Sequence, residues 1–159
     1  MSRPFTPIEW RFWPKVKIRV GCWEWAGSKD RHGYGRINSG GHTGTPILAH
    51  RLAYELTTGP IPEGMDLDHR CNNPSCVNPD HLRPCTHAQN TRNQKPSRGV
   101  SGLKGACWDR SRGLWVAMIM VGGKHIHLGR FKTAEEAHMA YRAASSIYHG
   151  DFSNFGVTS

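Results

Sequence analysis

Apolar and polar residues alternate differently in the two halves of this chain. Near the start, Ile8 to Trp13 has room for one helical turn, ahead of the irregular, basic stretch around Pro14, Lys15 and Lys17. GCWEWAG and GYGRI then read as short strands separated by Gly-rich turns. From Pro46 to Thr58 the spacing predicts a helix, since Leu48, Leu52 and Leu56 recur every four residues, Gly59 can cap it and Pro60 stops it. Beyond residue 102 the period changes to two. Trp115, Ala117, Ile119 and Val121 alternate with Val116, Met118 and Met120, the pattern of a half-buried strand. Gly122-Gly123 supplies a hairpin turn, and His125 to Leu128 alternates again. Thr133 and Glu136 make a capping box, followed by Ala137, Ala140, Tyr141, Ala144 and Tyr148 at helical spacing. The second half therefore reads as three strands and one helix, with Ala117, Ile119, Ile126 and Leu128 facing that helix. Between the halves, residues 94–102 have the composition of a basic linker.

With 159 residues the chain is one medium domain or two small ones. Small domains bury little apolar surface, so an extra cross-link is expected. The formal charge is +9, and eight Lys/Arg against one Asp fall between Gln94 and Lys132. A cluster of that kind is a footprint for phosphates. No apolar run reaches the ~20 residues of a membrane span. The opening residues lack a secretory signal, so a cytoplasmic protein is expected, with no membrane partner. Its five Cys then read as metal ligands or free thiols.

The dense chemistry lies between Asp68 and Asn93. Cys71, Cys76 and His81 are spaced five and five in a loop rich in Asn and Pro, too polar to hold itself by burial. Two thiolates and an imidazole suit tetrahedral zinc, whose binding would supply folding energy. The fourth ligand must come from elsewhere, with Cys22 in GCWEW the best candidate and Cys85 and His87 its rivals. Asp68-His69 precedes the first Cys of the loop; an imidazole beside a carboxylate can take a proton from water near neutral pH. Asn90 stands on the first turns of a short helix, and a carboxamide oxygen and a carboxylate are ligands that Mg²⁺ accepts.

These residues carry a resemblance. FWPKV, GCWEWAG, GYGRI, AHRLAYEL, GPIPEG, LDHRC, CVNPDHL and QNTRN make residues 9–93 similar to phage-type HNH endonucleases, and His69 to Asn90 resembles the His-Cys box of homing endonucleases. The resemblance implies a ββα-metal core in which His69 is the general base, Asn90 holds the catalytic Mg²⁺ or Mn²⁺ and Asp68 is a second ligand of the HNH branch. It also implies that Asn78 orients the His-bearing loop and that Cys22, Cys71, Cys76 and His81 hold a structural zinc ion. Arg51 or Arg36 would supply a cation at the phosphate, and the products would carry 5′-phosphate and 3′-OH ends. Residues 103–155 resemble the Apetala/ethylene-response-factor-type DNA-binding domain through Lys104-Gly105, Trp115-Val-Ala, Gly123-Lys124, Leu128-Gly129, Thr133-Ala-Glu-Glu-Ala137 and Asn154-Phe155. That family lays its three-stranded sheet in the major groove with the helix behind. The face toward DNA would carry Arg110, Arg112, Met118, Met120, Lys124, His125, His127 and Arg130. Met118, Met120, His125 and His127 depart from the Arg and Trp of the family, so its target sequence is not carried over.

The expected architecture is α+β: a zinc-stapled nuclease domain over 1–93, a linker over 94–102 and a DNA-binding domain over 103–159. The expected function is metal-dependent hydrolysis of double-stranded DNA. One active site per chain makes a double-strand break depend on a homodimer or a second event. The alternative is a non-catalytic, zinc-stapled protein that reads DNA by sequence.

Overall fold

The computed structural model describes residues 6–40, 44–93 and 100–153. Most of the expected linker, residues 94–99, lies outside the described residues, as do Asn154 and Phe155. The chain forms two compact units, residues 1–87 and 88–159, and each is described by itself.

In the first unit, helix α1 (Ile8–Phe12) runs into a 3-10 turn and strand β1 (Val16–Lys17), which pairs antiparallel with β2 (Glu24–Trp25). Strand β3 (Arg36–Asn38) pairs with β4 (Pro46–Leu48), which leads directly into α2 (Ala49–Thr57). Around them lies one core: Phe12, Trp25, Ile37, Ala49, Leu52, Ala53 and Val77 are buried together. Phe12 and Trp25 stack with ring centroids 5.1 Å apart. Gly35 must be glycine for that packing, since a Cβ there would stand 2.6 Å from the indole of Trp25.

The helix expected from Pro46 begins three residues later. Pro46, Ile47 and Leu48 are extended and lie opposite Asn38, Ile37 and Arg36. The cross-strand pair Ile37–Ile47 outweighs the four-residue spacing of Leu48, which closes the strand instead of opening the helix. The other end is as expected. Gly59 sits at φ +119°, and its N–H and that of Thr58 return to the carbonyl of Tyr54 at 3.3 and 2.8 Å.

Strands β5 (Asp66–His69) and β6 (Leu82–Cys85) are antiparallel, with Asp68 opposite Arg83 and His69 opposite Leu82. Residues 70–81 form the loop between them, and α3 (His87–Asn93) follows β6.

The second unit holds a three-stranded antiparallel sheet in the order β7 (Ala106–Asp109), β8 (Leu114–Val121), β9 (Lys124–Phe131), packed on α4 (Ala134–His149). Gly122 and Gly123 take φ +57° and +78°, the left-handed pair a tight hairpin requires. Thr133 Oγ1 accepts from the Glu136 N–H while the Glu136 carboxylate accepts from the Thr133 N–H, so the capping box forms. Ala106, Ala117 and Ala137 make one buried cluster; Ile119, Tyr141 and Ala144 make another, joined by Ile126 and Leu128. Tyr148, which follows at the same helical spacing, is exposed. The last turn of α4 is tied by polar bonds instead: Ser145 Oγ lies 3.3 Å from His149 Nδ1, and His149 Nε2 donates to the Met120 carbonyl at 3.0 Å.

Candidate metal centre and active site

Cys22 lies in the loop between β1 and β2, Cys71 and Cys76 in the loop after β5, and His81 at the end of the 3-10 turn Pro79–His81. Main-chain clamps bring the loops together. Trp25 N–H donates to Ser75 O at 2.9 Å, Val77 N–H to Trp23 O at 2.8 Å, and Arg70 N–H to His81 O at 2.9 Å. The Asn78 side chain adds a fourth, with Nδ2 donating to Gly21 O at 2.7 Å and Oδ1 accepting from the Asp80 N–H at 3.0 Å. Asn78 thus ties the segment of Cys76 to that of Cys22.

The four ligand atoms of Cys22, Cys71, Cys76 and His81 lie within 4.8 Å of one another. His81 Nδ1 is 3.6 Å from both Cys22 Sγ and Cys76 Sγ. A tetrahedral ion with Zn–S near 2.3 Å and Zn–N near 2.0 Å would set S···N edges at about 3.5 Å. The donors therefore fit, and the cluster can hold a structural metal such as zinc. Cys85 and His87, the rivals for the fourth place, turn to Asp66: Cys85 Sγ contacts its carbonyl at 3.8 Å and His87 Nδ1 its carboxylate at 3.1 Å. Without metal, hydrogen bonding from Cys76 pushes the Cys71 thiol down to about 5, the same bond raises Cys76, and burial raises Cys22. The group keeps one thiolate and must release the other protons when an ion enters.

His69 closes β5 and is buried. Its Nε2 lies 3.0 Å from the Cys76 carbonyl oxygen. A carbonyl can only accept, so Nε2 carries the hydrogen and Nδ1 carries the lone pair. Burial lowers the basicity of the ring and keeps it neutral at pH 7. Asp68 is buried beside it, and its Oδ2 accepts from Arg83 Nε at 2.9 Å and Nη2 at 2.8 Å. Arg83 did not emerge from the sequence; only its position opposite Asp68 across the β5–β6 ladder reveals the pair. His50 was missed too. Its ring centroid is 4.7 Å from that of His69, and Tyr34 lies 5.5 Å from His50 and 5.9 Å from His69. Arg51 is half-buried in the first turn of α2 and makes no ion pair among the described residues, whereas Arg36 pairs with Asp30 at 3.3 Å. Asn90 stands half-buried on α3, in the second unit.

On the sheet of the second unit, Met118 lies opposite His127 and Met120 opposite His125, on the face away from α4. Both His and Met120 are exposed, and Met118 is half-buried. Arg110 and Arg112 are exposed in the turn between β7 and β8, and Lys124 is exposed where β9 begins. Arg112 and Arg130 reach Asp109 Oδ2 at 3.4 and 4.0 Å. Trp108, 41% exposed, leans on Trp115 with centroids 5.1 Å apart.

Residues 48–92 match the family model described as HNH endonuclease, so the chain carries an HNH endonuclease domain that takes in α2, the metal loop, the β5–β6 pair and most of α3. The chain belongs to the family of protein 3.8 of Escherichia phage T7, to which it is 33% identical over 107 residues, 67% of this chain and 88% of that one. It is 37% identical over 78 residues to T7 protein 2.8 and 43% identical over 70 residues to T7 protein 7.7, and spans 52% of the length of each. The HNH domain makes nucleic acid the partner and supports a nuclease. Among the described residues no helix is long and apolar enough to cross a membrane.

Proposed function

We propose that the chain is a metal-dependent endonuclease that hydrolyses phosphodiester bonds of double-stranded DNA. The observation that carries this reading is the neutral imidazole of His69, whose Nε2 is held by the Cys76 carbonyl so that Nδ1 carries the basic lone pair, within an HNH endonuclease domain. Water gives its proton to His69 Nδ1 and attacks the scissile phosphorus, and the 3′ oxygen departs, leaving 5′-phosphate and 3′-OH ends. Asn90 and the Asp68 carboxylate are hard oxygen donors and would hold Mg²⁺ or Mn²⁺, which would stabilise charge on the phosphoryl group and leaving oxygen. Arg83 on Asp68 Oδ2 supports the narrower assignment of Asn90 as the principal ligand. Asn78 acts through the loops it ties, and Arg51 is the cation at the phosphate.

In this reading residues 1–93 are the nuclease domain, 94–102 a basic linker and 103–159 an Apetala/ethylene-response-factor-type targeting domain. Its DNA face carries Arg110, Arg112, Met118, Met120, Lys124, His125, His127 and Arg130; the concentration of positive charge between Gln94 and Lys132 supports that role. A double-strand break follows from a homodimer or two successive nicks.

The test is cleavage of supercoiled plasmid with Mg²⁺, with and without EDTA, by the wild type and by His69→Ala. Wild-type nicking that EDTA stops and that His69→Ala lacks, with DNA binding kept, is the expected result. A wild type that binds and never cuts with any divalent ion leaves the non-catalytic DNA reader.

A further inference from the structure

Helix α3, which carries Asn90, is seven residues long. A helix of that length does not persist in water on its own, and its last carbonyls have no partner within the helix. Its hold must come from outside. Lys104 supplies part of it: Nζ donates to the carbonyl of Arg92, in the last turn, at 2.6 Å. An ammonium at that end also meets the negative pole of the helix dipole. Asn93, the last residue of α3, is buried.

The main chain of Lys104 is fixed in turn by α4. Its carbonyl accepts from Nδ1 of the buried His138 at 2.8 Å. Gly105, next along, takes φ +79° and lies flush on the same helix, where a Cβ would run into the Tyr141 ring. So residues 104 and 105 are set by α4 while the Lys104 side chain reaches α3. Lys104 is half-buried, and burial lowers its ammonium to about 8, so it keeps its charge at pH 7. A lysine that grips phosphates would stand in water as Lys124 does; Lys104 spends its charge on the end of α3 instead. The division of the chain agrees, since residues 88–93 group with the second unit and not with the first.

We propose that Lys104 is a positioning residue for Asn90: it fixes the C-terminal end of α3, so that the sheet and helix of the second unit hold the carboxamide that would ligate the catalytic ion. This rests on the nuclease reading for the role of Asn90. It gives the second unit a task besides reaching DNA, and it places part of the support of the active site beyond residue 93.

The test uses the zinc-loaded full chain as wild type, as Lys104→Met, which keeps much of the stem and removes the charge, and as Lys104→Arg, which returns a cation. Hydrogen exchange of the amides at the end of α3 is followed in each, with those of β8 and α4 as reference. Single-turnover cleavage of duplex DNA is measured against Mn²⁺ concentration, and DNA affinity against salt. In Lys104→Met the α3 amides should exchange about tenfold faster while those of β8 and α4 keep their rates. Loss of a group that supports a metal ligand weakens the metal by about tenfold, so half-saturating Mn²⁺ should rise by that factor, with the rate at saturating Mn²⁺ within about twofold of wild type. Lys104→Arg should return most of both. The slope of log affinity against log salt should stay at its wild-type value. Unchanged α3 exchange or unchanged half-saturating Mn²⁺ in a folded Lys104→Met overturns the proposal, and so does a salt slope shallower by about one, the mark of a lost phosphate contact. If Lys104→Met does not fold, exchange in the wild type decides: α3 amides that open together with β8 and α4 as urea is added support the tie, and α3 amides that open apart from them overturn it. A wild type that never cuts DNA with any divalent ion overturns the nuclease reading, and the exchange result alone then decides whether Lys104 holds α3.

Discussion

The imidazole of His69 and the main-chain carbonyl of Cys76 are joined by a 3.0 Å hydrogen bond. The same Cys76 offers its Sγ, 3.6 Å from His81 Nδ1, to the four-ligand cluster. One residue therefore serves the metal loop with its side chain and sets the tautomer of the candidate base with its main chain. A disturbance of the cluster is transmitted to His69 through a single peptide unit.

Replacing Cys76 by Ser tests that link. The hydroxyl is a poor partner for a soft site, so the ion should be lost and the loop 70–81, which reaches the apolar core through Val77, should loosen. The expected outcome is a protein with less than one zinc per chain, a lower melting temperature and cleavage reduced to the level of His69→Ala. Metal content and thermal melting, read together, check it; a metal-free variant with a wild-type melt would refute the structural role.

Asp68 and Arg83 form a buried ion pair, with side chains only 5% and 10% exposed. Removing the cation alone leaves a buried carboxylate without the arginine that offsets its charge. Arg83→Met should cost about 3–5 kcal/mol, measured as a shift of the urea midpoint. A loss below about 1 kcal/mol, the range of surface pairs, would mean that solvent reaches Asp68 in solution.

The parts of the fold that were legible in the sequence are those set by neighbours along the chain. The Thr133–Glu136 capping box and the Gly122-Gly123 turn need only a few consecutive residues, and both formed as read. The metal set needed one distant choice, Cys22 over Cys85 and His87, and the family resemblance made it, since thiol chemistry alone does not separate Cys22 from Cys85. What stayed hidden depends on contacts between distant segments. Arg83 reads as one more surface cation until β5 and β6 align. His50 reads as a helix residue until α2 is laid beside β5. Leu48 misled because a strand ending in Leu and a helix beginning four residues before Leu52 leave the same mark in the sequence.

His50 also gives stability a pH dependence of known sign. In the unfolded chain it protonates near its ordinary 6.5, whereas burial pushes the folded value down to about 3. Between those values the unfolded state binds the extra proton, so stability is highest above 6.5 and falls as pH drops, by about 1.4 kcal/mol per unit from this group. The His50→Phe protein should lose that share of the slope. Urea midpoints of both proteins between pH 6.5 and 5.5, with zinc present, check it; equal slopes would mean that His50 is hydrated in the folded state.

The last prediction concerns charge on the targeting face. Arg112 and Arg130 both lean on Asp109, so part of their charge is spent within the protein, while Arg110 and Lys124 have no ion-pair partner among the described residues. Asp109 also holds its turn, since Oδ1 accepts from the Ser111 N–H at 3.0 Å and its carbonyl from the Gly113 N–H at 2.9 Å. Asn at this position keeps an acceptor for Ser111 and removes the negative charge. If this face grips phosphates, Asp109→Asn should bind duplex DNA a few-fold more tightly at moderate salt. The slope of log affinity against log salt should steepen by up to about one. If DNA lies elsewhere, both quantities stay at the wild-type values while the turn remains intact.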